Sequence, residues 1–346
     1  MTESSIILAP MAALYGKVTE TRLALYRRGI LKTRKIAAPV ISVGNITTGG
    51  TGKTPLVEYI ARKAAAAGRK VCILTRGYGR ENPNQRLLVS DGRTLLAGHR
   101  EAGDEPRLLA ENLLGVAAVV SDADRFAASQ WALAELGSEV FILDDGFQHV
   151  QLARDLNVAT VDATNPWGAK HLLPRGRLRE RPLGLARADC IVITRSDQVN
   201  DLDVLKMEIE KVSNQRPLFT SRMAVIAIHE LASHSDSTTP LPEIPPPVAA
   251  FAAIGNQRSF IALLQNKGYE PVVVLEFPDH HKYNQGNIDE IIEKSKRAGA
   301  KALITTAKDA VKLRELSFAL PCYVLEIEVC IDEDENFSEM IRAAIA

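Results

Sequence analysis

Ile41-Ser-Val-Gly-Asn-Ile-Thr-Thr-Gly-Gly-Thr-Gly-Lys-Thr-Pro55 decides how the rest of the chain is read. Pro39-Val-Ile-Ser-Val43 is the apolar end of a strand, and a helix is expected from Pro55. Between them, Thr48, Gly49, Gly50, Thr51 and Gly52 form a loop whose backbone N–H groups can converge on phosphate oxygens. The open helix end adds donors and partial positive charge. Lys53 is placed to reach the β- and γ-phosphates, and the Thr54 hydroxyl to hold Mg²⁺. Thr47 takes the first glycine position of G-x-x-x-x-G-K-[ST], with Gly49 and Gly50 inside the loop instead. The alternative is a plain glycine turn, but a strand before and a helix after favour a nucleoside triphosphate site.

Working outward, short apolar segments alternate with helical ones. Lys70–Thr75, Ala117–Val120, Glu139–Leu143, Asn157–Val161 and Asp189–Thr194 read as strands. Such doubly apolar strands separated by helices predict an α/β fold: a P-loop NTPase-like parallel sheet covered by helices on both faces. Ligands of such sheets gather at the carboxyl ends of the strands. Ser233–Pro247 is too rich in Ser and Pro for regular structure and is expected to be an exposed loop. A second α/β series follows, with strands at Val248–Ile254, Val272–Leu275, Ala302–Thr305 and Tyr323–Ile327 and helices from Gln257, Asn287 and Glu335. The expected division is 1–35, 36–219, and a smaller α/β domain at 220–346.

The chain has 346 residues, with 42 basic and 42 acidic side chains. Zero net charge argues against bulk nucleic-acid binding, and nothing in the pattern implies a protein partner. Cys72, Cys190, Cys322 and Cys330 lie far apart and read as buried thiols in a reducing compartment. Acidic Glu3 without a basic flank argues against a secretory signal, and no apolar run reaches the ~18 residues of a spanning helix. Leu14, Val18, Leu23, Leu25, Tyr26 and Ile30 recur at helical spacing beside Lys17, Arg22, Arg27, Arg28, Lys32, Arg34 and Lys35. Two readings stand: a helix lying in an anionic membrane surface, or one packed on the protein's own core with a solvated basic face.

Several loops carry candidate chemistry. Phe141-Ile-Leu-Asp-Asp145 ends a strand in two carboxylates, either a Walker B site for Mg²⁺ or an ordinary strand end. Asp104 in Gly103-Asp-Glu-Pro106 is by default a helix N-cap with Pro106 in the first turn. Arg76, Tyr78 and Arg80 follow a strand end, and Arg175, Arg177, Arg179 and Arg181 cluster in one stretch; each group suits phosphate recognition or a solvated surface. In Phe277-Pro-Asp-His-His-Lys-Tyr283, either histidine is a surface residue or a proton carrier. Thr194-Arg-Ser-Asp197 loosely matches the base-reading [NT]-K-x-D motif of GTPases, but Arg195 replaces the lysine, so it reads as a strand end with a capping acid.

Together these motifs resemble the tetraacyldisaccharide 4′-kinases, the lipid A 4′-kinases of Gram-negative bacteria. The resemblance rests on Val43–Pro55, Arg76-Gly-Tyr-Gly-Arg80, Gly103-Asp-Glu-Pro106, Asp144-Asp-Gly-Phe-Gln-His149, Leu173-Pro-Arg-Gly-Arg-Leu-Arg-Glu180, Phe277-Pro-Asp-His280 and Thr305-Thr-Ala-Lys-Asp309. Ala307 stands where an acidic residue is expected. The resemblance implies ATP and Mg²⁺ as cofactors and phosphorylation of the 4′-hydroxyl of an acylated glucosamine disaccharide 1-phosphate, giving lipid IVA. It also implies peripheral placement on the cytoplasmic face of the bacterial inner membrane, which favours an anionic membrane surface as the partner of residues 1–35. Residues 36–219 become the P-loop kinase domain. Lys53 and Thr54 serve triphosphate and metal, and Asp144, Asp145 and Glu105 the metal. Asp104 becomes the base for the hydroxyl proton, with His280 as its partner from 220–346. Arg76, Tyr78, Arg125, Gln148, His149, Arg179 and Glu180 meet the sugar or its phosphate. The rival from another class is a P-loop regulatory or assembly NTPase at the membrane surface.

Overall fold

The computed structural model describes residues 3–231 and 244–346. In chain order it runs α1 (Glu3–Arg27), β1 (Val40–Asn45), α2 (Lys53–Ala66), β2 (Val71–Thr75), β3 (Leu87–Ser90), α3 (His99–Ala102), α4 (Asp104–Asn112), β4 (Ala117–Ser121) and α5 (Arg125–Leu136). Next come β5 (Val140–Leu143), β6 (Leu156–Asp162), β7 (Cys190–Thr194), α6 (Leu202–Ser213) and β8 (Leu218–Glu230). The remainder is β9 (Val248–Ala252), α7 (Gln257–Asn266), β10 (Pro271–Glu276), α8 (Gln285–Arg297), β11 (Ala302–Thr306), α9 (Ala307–Leu313), β12 (Cys322–Ile331) and α10 (Asp334–Ile345).

Among the described residues, twelve strands join one sheet, ordered β10-β9-β11-β12-β8-β7-β6-β1-β5-β2-β4-β3. Its pairings are parallel except β3 with β4 and β8 with β12. The β8–β12 ribbon sets the geometry of everything else. Ser221 of β8 is level with Thr194 at the carboxyl end of β7, and Ile228 is level with Leu325, which pairs with Thr306 at the carboxyl end of β11. Because the ribbon is antiparallel, the two parallel strand sets point their carboxyl ends at each other across its middle. At about 3.4 Å per residue the gap is roughly 20 Å. Loops that bind ligand in each set therefore face one cleft.

Apolar faces explain the layers. Leu56, Val57, Ile60 and Ala64 of α2 and Leu109 of α4 pack on one face of the first strand set, and Ala128 and Ala132 of α5 on the other. Phe260 and Leu264 of α7 cover one face of the second set, with Ile288, Ile291 and Ile292 of α8 opposite. The boundary expected at 219/220 falls just inside β8, and α10 closes back onto α2, Phe337 lying 5.9 Å from the Tyr59 ring. The strand β8 escaped the sequence reading because a bulge at Ile226 breaks its alternation, with Val225 opposite Ile327 and Ala227 opposite Glu326. The Pro-rich stretch lies outside the described residues up to position 243; Ile244, near its end, is buried.

The helix α1 answers both readings of the N-terminus. Ala12 and Gly16 are buried, Arg22 donates to the Gln148 carbonyl at 3.1 Å, and Glu20 pairs with Arg181 at 2.6 Å. On the opposite side Met11, Leu14 and Val18 are exposed. Among the described residues no helix is long and apolar enough to cross a membrane.

Candidate active site

The phosphate loop is fixed by buried hydroxyls. Asn45 Nδ2 donates to Thr51 Oγ1 at 2.8 Å, Thr51 Oγ1 shares a 2.9 Å bond with Thr160 Oγ1, and Thr194 Oγ1 donates to the Thr51 carbonyl at 3.1 Å. The arginine-rich stretch is zipped alongside: the Thr48 N–H donates to the Arg177 carbonyl at 2.7 Å and the Arg179 N–H to the Ile46 carbonyl at 2.7 Å. Gly52, at φ +76, caps α2 without a side-chain bond, so the open first turn points into the loop. The helix starts at Lys53, two residues before the expected start, and Pro55 sits in its first turn, where a missing N–H costs nothing.

Two carboxylates at the end of β5 sit in different states. Asp145 is paired with Arg179 at 2.6 Å and with Lys53 at 3.6 Å. Burial works against its charge, but Lys53 and Arg179 prevail and hold Asp145 at about 2. Asp144 is buried, receives only a 3.4 Å bond from the Thr75 hydroxyl, and is pushed up to about 7 by burial and by neighbouring Glu105 and Asp145. Crowded carboxylates beside a phosphate loop suit a divalent cation. Among the described residues no three His, Cys, Asp or Glu side chains form a metal cage. Mg²⁺ takes one or two carboxylates and otherwise phosphate and water oxygens.

Across the cleft, the turn after β10 brings His280 to Asp104, Nδ1 to Oδ2, at 3.3 Å. His280 sits at φ +61, and its ring lies 6.1 Å from that of Tyr78. Asp104 does not cap α4: Gly103 is the N-cap, and Asp104 is the first helical residue, its side chain turned to His280. The default N-cap reading is thereby corrected. A β-carbon on Gly103 would lie 2.7 Å from the Tyr78 carbonyl, so only glycine lets the chain turn there. Burial opposes the Asp104 charge, but the hydrogen bond from His280 and nearby Lys312 and Lys308 outweigh it and hold the carboxyl below the usual carboxylate range.

The surrounding cleft encloses about 1610 Å³. Its walls include Thr48 through Thr54, Arg76, Tyr78, Glu105, Arg125, Asp144, Asp145, Gln148, His149, Arg179 and His280. Gln148 Nε2 donates to the Asn45 carbonyl and to Glu180 Oε1, both at 2.8 Å. His149 is neutral at pH 7, since burial, Arg125 and Arg154 push it down to about 4. Glu180 stands apart: it is buried, held by Arg187 at 2.6 and 2.9 Å, and is not among the cleft walls. The sequence reading assigned no role to Lys308, which bridges Glu105 at 3.1 Å and Asp279 at 3.2 Å, nor to Lys312 beneath it. Their signal was the lysine and acid of Thr305-Thr-Ala-Lys-Asp309, with Lys312 one turn on.

With this geometry in view, likeness to known proteins covers the whole chain. The family model described as tetraacyldisaccharide-1-P 4′-kinase matches residues 4–346. The tetraacyldisaccharide 4′-kinase of Desulfotalea psychrophila is 37% identical over 339 residues, 97% of this chain and 95% of that protein. That of Geobacter sulfurreducens is 39% identical over 331 residues, 93% and 88% of the two chains. A crystal structure of LpxK from Aquifex aeolicus in complex with ATP superposes with a TM-score of 0.77 at 33% identity, covering 99% of both chains.

Proposed function

We infer the chemistry of this cleft from one premise: the chain belongs to the tetraacyldisaccharide 4′-kinase family. It is an ATP-dependent lipid A 4′-kinase, and the reaction moves the ATP γ-phosphoryl group to the 4′-hydroxyl of tetraacyldisaccharide 1-phosphate. The roles of individual residues are our own reading. Lys53 and the backbone of Thr48–Thr54 grip the triphosphate, and Arg179 and Arg76 add positive charge as the phosphoryl group transfers. Thr54, Asp144 and Asp145, with Glu105 behind, would hold Mg²⁺, which neutralises phosphate charge when bound. Lys53 lies 3.6 Å from Asp145, so the triphosphate cation and the metal carboxylate share one end of the cleft.

Asp104 takes the 4′-hydroxyl proton, and His280 orients Asp104 and shares its charge. The observation that carries this is the 3.3 Å contact between them, made from opposite strand sets over the phosphate loop. A pair assembled only when both sets face each other limits idle ATP hydrolysis. The acceptor's acyl chains stay in a bilayer, so the protein comes to them: the exposed stripe of Met11, Leu14 and Val18 enters the interface while Ala12 and Gly16 hold α1 to the body. That arrangement supports peripheral placement on an anionic membrane surface, at the cytoplasmic face of the inner membrane. A regulatory NTPase is disfavoured by Arg195, which is buried against Asp162 at 2.7 Å where such proteins keep a base-reading lysine.

Transfer of labelled γ-phosphate to lipid acceptor tests the reading. Lys53→Ala should cut turnover by orders of magnitude with an unchanged fold, because the removed charge faces the cleft. Near-normal lipid phosphorylation by that variant would mean that the loop does not bind the transferred phosphate.

A further inference from the structure

We propose that Lys312 is the positioning residue that joins Asp104 and His280 into one unit. Lys312, on α9, is almost wholly buried, with a side chain 5% exposed. Its ammonium pairs with Asp309 at 2.8 Å, donates to the His281 carbonyl at 3.2 Å, lies over the Tyr283 ring at 5.1 Å and stands 3.9 Å from Asp104 Oδ2. One cation thus touches the turn that carries His280 and the carboxylate that His280 meets. Asp309 anchors it from below: fully buried, its Oδ2 accepts the Ala253 N–H at 3.0 Å and the Thr306 hydroxyl at 2.8 Å.

A buried ion pair is a poor device for stability alone, since apolar residues of similar volume would serve as well. Here the lysine does two jobs that an apolar side chain cannot. Its bond to the His281 carbonyl steadies a turn whose preceding residue, His280, is left-handed at φ +61. Its charge and the His280 ring both lie beside Oδ2 of Asp104, which leaves Oδ1 to accept a hydroxyl proton. The other groups around Asp104 are Lys308, Asp279 and Asp309 from the second strand set, and Glu105 and Tyr78 from the first. Lys308 is shared between Glu105 and Asp279, whereas Lys312 is anchored on Asp309 and stands 3.9 Å from Asp104.

This inference rests on Asp104 being the base, and the test separates the two ideas. Asp309→Asn with Lys312→Met removes both charges and leaves no buried ion unpaired. This pair should lower kcat for lipid phosphorylation about tenfold or more and keep KM for ATP within about twofold. Adding His280→Ala should cost less than the product of the separate losses, because the groups act together. Lys312→Arg, which keeps charge and pairing, should retain most of the kcat and serves if the double variant does not fold. A folded double variant with the parent's kcat, or with a loss that multiplies with that of His280→Ala, overturns the proposal, as does a Lys312→Arg variant that loses as much kcat as the double variant. Asp104→Asn is run in parallel. If it stays active the base assignment itself is wrong; if it is inactive while the Lys312 variants behave as the parent, only the role of Lys312 fails.

Discussion

Gly255 seats on the tip of the phosphate loop: a β-carbon on it would lie 2.7 Å from the backbone nitrogen of Gly50 and 3.4 Å from the Gly49 α-carbon. The turn after β9 thus meets the loop of the opposite strand set backbone to backbone. Behind the contact, Asn256 Nδ2 donates to Asp162 at 3.2 Å and to Thr164 at 3.0 Å, and Arg195 binds both Asp162 and Ser259. The two sets are held at a fixed distance here, and Asp279, which precedes His280, lies against the same contact, its Oδ2 3.3 Å from that β-carbon.

Gly255→Ala places a methyl group in that contact. The backbone at 255 is not left-handed, so alanine can adopt it and the strain is purely steric. Overpacking of this kind costs about 1–3 kcal/mol, and it falls on a loop whose N–H groups bind phosphate. KM for ATP should rise about fivefold or more and the melting temperature should fall by about 2 °C or more, as read by steady-state kinetics and calorimetry. An unaltered KM would show that this contact does not form in the working enzyme.

Much of this arrangement was readable from residue order, and the exceptions have physical causes. The glycine loop, the apolar strands and Asp144-Asp145 announce themselves locally, because backbone freedom, burial and strand ends leave marks within a few residues. Asp104 looked like a helix cap because an acid before Pro106 usually is one; its contact with His280, 176 positions away, depends on a ribbon that turns one strand set toward the other. Glu180 is a different case. The family motif carried it over to the substrate, and here Arg187 and Gln148 close around it and bury it. Lys312 leaves almost no local sign, since a lysine inside a short helix is ordinarily solvated.

The exposed stripe on α1 should govern membrane attachment. Serine at Met11, Leu14 and Val18 removes the apolar surface and spares Ala12 and Gly16, which hold the helix in place. Each large apolar side chain is worth about 1.5–3 kcal/mol on full burial, so partition into anionic vesicles should fall at least about tenfold. ATP binding should be unchanged. Flotation assays showing equal vesicle binding by the triple variant would leave the packing reading of α1 as the whole explanation.

Asp144 is placed for charge, not for stability. Its folded value of about 7 lies above the ordinary value, so its contribution to stability is present below the unfolded pKa and is lost as pH rises through 7. In the ligand-free protein at pH 8 the ion is buried beside Asp145 and Glu105. Asp144→Asn should therefore raise the melting temperature of ligand-free protein at pH 8, by about 2 °C or more, and the gain should shrink toward pH 5. The same variant should lose metal-dependent turnover. A lower melting temperature at pH 8 would mean that the carboxylate is stabilised by something outside this cluster.

The pairing of Asp104 with His280 makes the most exacting prediction. Gly103 caps α4, so Asp104→Asn removes no cap and should leave stability nearly intact, while depriving the side chain of its ability to take a proton. Asp104→Asn and His280→Ala should each lower kcat by about 10²-fold or more and change KM for ATP little, since neither touches the triphosphate loop. Their double variant should be scarcely worse than the poorer single one, because the pair acts as a unit. The parent's acid limb follows from the sign of the Asp104 shift: its depressed pKa keeps the base ionised through neutrality, and activity falls only as pH drops through a value below the usual carboxylate range. In His280→Ala the limb should move to higher pH, because a hydrogen bond that favours the ion is gone. A k_cat for Asp104→Asn near the parent's would remove Asp104 from the proton's path. An acid limb unmoved by His280→Ala would instead leave the base in place and reduce His280 to a contact that closes the cleft.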